Sequence, residues 1–280
     1  MIYFDGGEKL YESYDTETVV NVSGNVQFYR NMRYRDKRIS YSIEDSCNLG
    51  KISDAENAFS VLGEKTVLEF RRVDSGADIE IFCSELAPTV EEKSHFIAGE
   101  GGPSEVITSG EYSVIFLGKV SLFRIDRCDR PQIAIHEILH ALGFDHNANE
   151  SSILYPVTDC KQEIDDYIIE KINSLYLVKP EADLVIVSAN AKKVGRYLDF
   201  EIAISNFGLK DAGKSKLEVV FDNEPVREFE LEDLKIGTER TLDVENVRLP
   251  FRSGENIGFV VEYEGEELSK ANNIIVLSVK

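Results

Sequence analysis

Residues Pro131 to His146 read PQIAIHEILHALGFDH, and among them stand His136, Glu137, His140, Gly143 and His146. Helix positions four apart lie on one face, so His136 and His140 aim two imidazoles at a common point. Glu137 sits beside the first and reaches whatever is held there. Gly143 lets the chain leave the helix through a conformation that a Cβ resists, and the turn can bring His146 round as a third ligand. Three neutral imidazoles with a fourth position open describe a catalytic zinc site rather than a closed structural one. In that chemistry Glu137 is the general base. Five fixed positions in one window are far more specific than HExxH alone. Packing supplies no reason for three histidines at ligand spacing beside a glutamate.

The motif needs a helix, and the helix needs a fold to hold it. Pro131 fits a first helical turn, and Asp129 is the expected N-cap. Ile133, Ala134, Ile135, Ile138, Leu139, Ala141 and Leu142 surround the helix almost completely, so it is expected to be buried. Upstream, RISYSI from Arg38 alternates as a strand. Ile52 to Leu62 carries apolar residues at helical spacing, with Ser53 as N-cap and Glu56 three residues on. TVLEFRRV and ADIEIFC read as two further strands, and this order opens a mixed α/β sheet. Residues 96–110 are Gly-rich and read as a loop with a short edge strand, placed within Ser104 to Phe116. VIFLGKVSLF follows as strand, with a turn or bulge at Gly118 and Lys119. Glu163 to Tyr176 forms an amphipathic helix that closes this part of the chain. KPEAD reads as a linker. Beyond Ala182 about seven short alternating segments, separated by turns and without a helix signal, predict a β-sandwich.

The zinc motif resembles that of the metzincin peptidases. Three neighbouring stretches resemble the matrixin branch: Thr66-Val67-Leu68-Glu69-Phe70, Ala77-Asp78-Ile79-Glu80-Ile81, and Ser152-Ile153-Leu154-Tyr155-Pro156. In the last, Leu154 stands where matrixins often carry methionine; leucine is similar in volume and keeps the packing role. Ser205 to Gly213 and Ala271-Asn272-Asn273 resemble the immunoglobulin-like adhesion modules called CARDB. The resemblance implies an α+β fold. A zincin-like mixed five-stranded sheet with three main helices occupies residues 35–178, after an N-terminal extension over 1–34. An all-β, immunoglobulin-like sandwich occupies 182–280. It also implies a metalloendopeptidase in which His136, His140 and His146 hold zinc and Glu137 activates water against the peptide bond. The edge strand would hold extended polypeptide. Leu154, Tyr155 and Pro156 would form the turn beneath the metal and the wall of the substrate pocket. In the family's sheet the first and third strands are parallel neighbours, which implies Cys47 bridged to Cys83 and leaves Cys128 to clamp the site with Cys160. Of four histidines three are assigned to zinc, leaving His95, so the second, three-histidine zinc site of many animal matrixins cannot be built. A structural Ca2+ is left open by the acidic loops, although no EF-hand loop occurs.

Composition narrows the setting. A length of 280 residues suits two domains. A net charge of −20 argues against nucleic acid and anionic membranes, and it favours basic substrates or divalent cations. No apolar run reaches the ~18 residues of a membrane span, and the opening residues carry no signal peptide in the chain as given. All four cysteines fall in the first 160 residues, without a CxxC pair. Two disulfides in an exported protein is one reading, and four buried thiols is the other. The expected location is extracellular or cell-surface. The competing functional class is a non-catalytic exported binding or adhesion protein whose sandwich is the working part. The intact Glu137 argues against it.

Overall fold

In the computed structural model, described over residues 26–86, 98–251 and 253–279, the apolar alternation of the first half becomes one twisted sheet. Its strands are β1 (Met32–Tyr34), β2 (Arg38–Ile43), β3 (Glu69–Arg72), β4 (Ile79–Cys83), β5 (Gly99–Ser109) and β6 (Tyr112–Leu122). The order is β1-β6-β4-β2-β3, with β5 also on β6. β2 runs parallel to both β3 and β4, and β4 runs parallel to β6. The register sets Tyr41 opposite Ile79 and Ile43 opposite Ile81, while Ile81 faces Val120. Each lies on the buried face because side chains alternate along a strand. Three helices pack with the sheet: α1 (Leu49–Lys65), α2 (Gln132–Ala141) and α3 (Asp166–Leu175). The sheet thus holds the five strands implied by the resemblance and a sixth, β1, whose three residues are all buried.

Local detail of the strands and of α1 departs from the sequence expectations at three places. α1 starts earlier than expected: Asn48, not Ser53, caps it, accepting from Lys51 N at 3.0 Å. The edge strand begins at Gly99 and turns at Gly110 and Glu111, so the expected span of Ser104 to Phe116 straddles two strands. Gly118 is neither turn nor bulge, and β6 runs straight through it. A Cβ there would collide with the Tyr34 hydroxyl, which donates to Ala141 O at 3.0 Å, so glycine serves a close approach of strand and helix. Most of the N-terminal extension expected over 1–34 lies outside the described residues, and so does His95.

The described residues before β2 belong to this core. Arg33 is 1% exposed. Its guanidinium donates to the carbonyls of Leu175, the last residue of α3, and of Val178 just beyond it, and stacks 4.4 Å from the centroid of the Tyr176 ring. Burial lowers its pKa, yet carbonyl dipoles at a helix C-terminus suit a cation. Two disulfides, Cys47–Cys83 and Cys128–Cys160, staple this unit, and no cysteine is free. These are the pairs that the resemblance implied.

The chain divides into two compact units near Val178 and Lys179. The second is a sandwich of seven antiparallel strands: β7 (Leu184–Val194), β8 (Tyr197–Asn206), β9 (Ser215–Phe221), β10 (Glu224–Leu231), β11 (Glu239–Arg248), β12 (Asn256–Tyr263) and β13 (Ile274–Ser278). One sheet has the order β10-β9-β12-β13, the other β11-β8-β7. Phe200, Ile202, Leu217, Val219, Phe221 and Phe259 fill the space between them. The β9–β10 hairpin turns on Asp222 and Asn223, both at positive φ, the conformation that a two-residue hairpin demands.

Candidate metal centre

α2 carries the motif because its sequence is apolar almost all round, and every residue from Ala134 to Ala141 is buried. The helix is capped from a few residues further upstream than expected. Asp126, not Asp129, accepts from Ile133 N at 2.8 Å through one oxygen and from Cys128 N at 2.8 Å through the other. Asp126 N in turn donates to Asp54 of α1. Gln132 then ties the first turn to the far side of the site, donating to the carbonyls of Cys160 and Gln162. The helix ends at Gly143, whose φ of 93° and close approach to Met32 both exclude a side chain. The turn after it is held by the N-terminal segment. Phe28 N donates to Gly143 O, and Asp145 N donates to Val26 O. His146 follows directly.

The three imidazoles meet. Their Nε2 atoms are 2.9 Å apart for His136 and His140, and 3.1 Å apart for each of the pairs with His146. Two tautomers are fixed by carbonyls, which can only accept. His136 donates through Nδ1 to Ile153 O at 2.6 Å, and His140 through Nδ1 to Phe144 O at 2.7 Å. Both therefore turn Nε2 lone pairs toward the common point. Zinc–nitrogen bonds of about 2.0–2.1 Å at tetrahedral angles put ligand nitrogens ~3.3 Å apart, close to this triangle. Lone pairs at such distances repel unless a cation stands between them, so the donor set fits a zinc ion. Burial, reinforced by the neighbouring His146, pushes His136 down to about 4, and burial holds His140 and His146 below the ordinary histidine value. The rings stay neutral and available as ligands. Among the described residues no other cluster of histidine, cysteine or acidic side chains could hold an ion, so nothing here supports calcium.

Glu137 lies 8% exposed between α2 and the start of β5. Burial first, and the charge of Glu100 second, raise its carboxyl to about 8. A carboxylate in so dry a position takes up a proton readily. Leu154 is fully buried in the same core as Ile138 and Leu139, Tyr155 is half-buried and Pro156 is exposed. The turn holding them is organised by Ser152, which no sequence signal marked as more than part of the motif. Its buried Oγ donates to Asp165 and accepts from Leu154 N and from Asn147 Nδ2. That fixes the Ile153 carbonyl on which His136 depends. Ser152→Ala is expected to weaken zinc binding about tenfold, the scale of a lost outer-shell partner. Competition with a chromophoric chelator measures this, and parental affinity would deny Ser152 the role.

Comparison with known proteins agrees with this architecture. The matrixin family model matches residues 33–177, just over half of the chain, and the CARDB model matches 181–275. No curated protein matches. Among solved structures, a CARDB domain from Pyrococcus furiosus in complex with di-metal ions is 20% identical, over 35% of this chain and 94% of that one, with a TM-score of 0.30. A domain from Methanosarcina acetivorans is 18% identical, over 36% of this chain and 93% of that one, with a TM-score of 0.31. The chain belongs to the matrixin family of zinc-dependent peptidases and carries a CARDB domain behind the peptidase domain.

Proposed function

We propose that the protein is a zinc-dependent endopeptidase that cuts extended polypeptide outside the cytoplasm. The observation that carries the reading is the convergence of three neutral Nε2 atoms one residue from a buried carboxylate. His136, His140 and His146 would hold the ion. Bound zinc supplies Lewis acidity toward the scissile carbonyl and lowers the pKa of a water at the open position toward ~7. Glu137 takes a proton from the attacking water on its carboxylate and passes it to the departing amine nitrogen. β5 pairs only with β6 among the described strands, and its other edge is suited to receive a peptide backbone as an added strand. Tyr155 and Pro156 then flank the substrate side chain after the cut.

The two disulfides point to an oxidising compartment. No helix among the described residues is long and apolar enough to cross a membrane. The disulfides fit a substrate met at or beyond the cell surface. The test is turnover of casein or a peptide library by the full chain. Cleavage should vanish with a chelator and return with one equivalent of zinc. A zinc-loaded chain that leaves both substrates intact would favour a binding protein over a peptidase.

A further inference from the structure

β5 opens on Gly99, Glu100, Gly101 and Gly102. Successive strand residues face opposite ways, so Gly99 and Gly101 share a face. That face lies on Glu137. A Cβ at Gly99 would stand 2.6 Å from Glu137 Cγ and 2.8 Å from its Oε1. One at Gly101 would overlap the Glu137 main-chain carbonyl, whereas one at Gly102 would meet nothing within 4 Å. The requirement is therefore particular to two positions and absent at the third. The start of the strand is pinned to the two residues that follow β6, because Ala98 O accepts from both Phe123 N and Arg124 N. Backing away from the helix would break those bonds.

We propose that Gly99 is a positioning residue for the general base. Its bare backbone is the shelf on which the Glu137 side chain rests, and it sets where the carboxylate stands relative to the histidines. A methyl group at 99 leaves two ways out. The strand can retreat and lose its pairing, or the carboxylate can swing off the shelf. The second is easier, since it moves the end of one side chain. The fold and the metal ligands then survive, and the base is displaced. Gly101 differs, because what it touches is main chain that cannot swing aside. The assignment rests on reading Glu137 as general base, while the contact itself can be judged without it.

The experiment is a double-mutant cycle on the full, zinc-loaded chain with Gly99→Ala and Glu137→Ala. Gly99→Ala should lower kcat on a peptide substrate about 100-fold, the scale of an ångström's misplacement, with KM and zinc affinity within about twofold of parental. Any fall in Tm that it causes should disappear in the Glu137→Ala background, which lacks the atoms it strikes. Gly101→Ala should lower Tm equally in both backgrounds. A parental kcat in Gly99→Ala, or the same fall in Tm with and without the Glu137 side chain, overturns the proposal. Absence of cleavage by the parental chain would refute the peptidase reading, and the melting arm would still decide whether Gly99 supports Glu137.

Discussion

Glu137→Gln is expected to abolish hydrolysis while leaving zinc in place. Glutamine keeps the shape of the side chain and removes its ability to take a proton, so a loss of about a thousandfold in kcat is the scale to expect from a missing general base. The ligands should not notice. His136 and His140 are oriented by the carbonyls of Ile153 and Phe144, neither of which touches the substituted group. Removing a buried carboxylate that resists ionisation should not cost stability either. Two measurements are needed together: zinc content after dialysis, and casein cleavage. Parental cleavage by the variant would end the mechanism. Loss of both zinc and activity would mean that Glu137 helps to hold the ion.

Breaking the Cys128–Cys160 bridge should lower stability strongly. The bridge closes a separation of 32 residues, for which the chain-entropy estimate is about 3–4 kcal/mol. In a domain of this size that corresponds to a fall in Tm of about 10 °C. The placement adds to the entropic effect. Cys128 lies two residues after the Asp126 cap, and the Cys160 carbonyl holds Gln132 in the first turn of α2. A Cys128→Ser, Cys160→Ser double variant should therefore also bind zinc more weakly, because both sides of His136 loosen. Calorimetry with and without zinc reads both effects. An unchanged Tm would show that the loop is ordered without the bridge.

Much of the site could be read from the chain because its chemistry is local. Three histidines on one helix and the turn after it need no distant partner to be recognised. The strands RISYSI and ADIEIFC were legible from alternation, and the sandwich from repeated alternation without helical spacing. What escaped is what depends on distant contacts. Asp129 is the nearer acidic residue before α2, yet Asp126 does the capping, with its own backbone held by Asp54. β1 is buried over all three residues, so it has no alternation to detect. The start of β5 looked like loop because glycines usually mark one. Here they record the nearness of Glu137. The carbonyls of Ile153 and Phe144 are main chain and leave no mark in composition.

Arg33 gives this domain a timetable. Its carbonyl partners at Leu175 and Val178 lie more than 140 residues downstream. At a synthesis rate of about 5–20 residues per second, a growing chain carries that cation without its partners for roughly 7–30 s. During the same interval the zinc motif is made, and the segment that braces the His146 turn is already present, but α3 is not. Chain closure therefore comes last, from the end of the domain back to its beginning. A nascent chain halted before Asp166 would hold all three histidines and still lack the contact that joins β1 to α3.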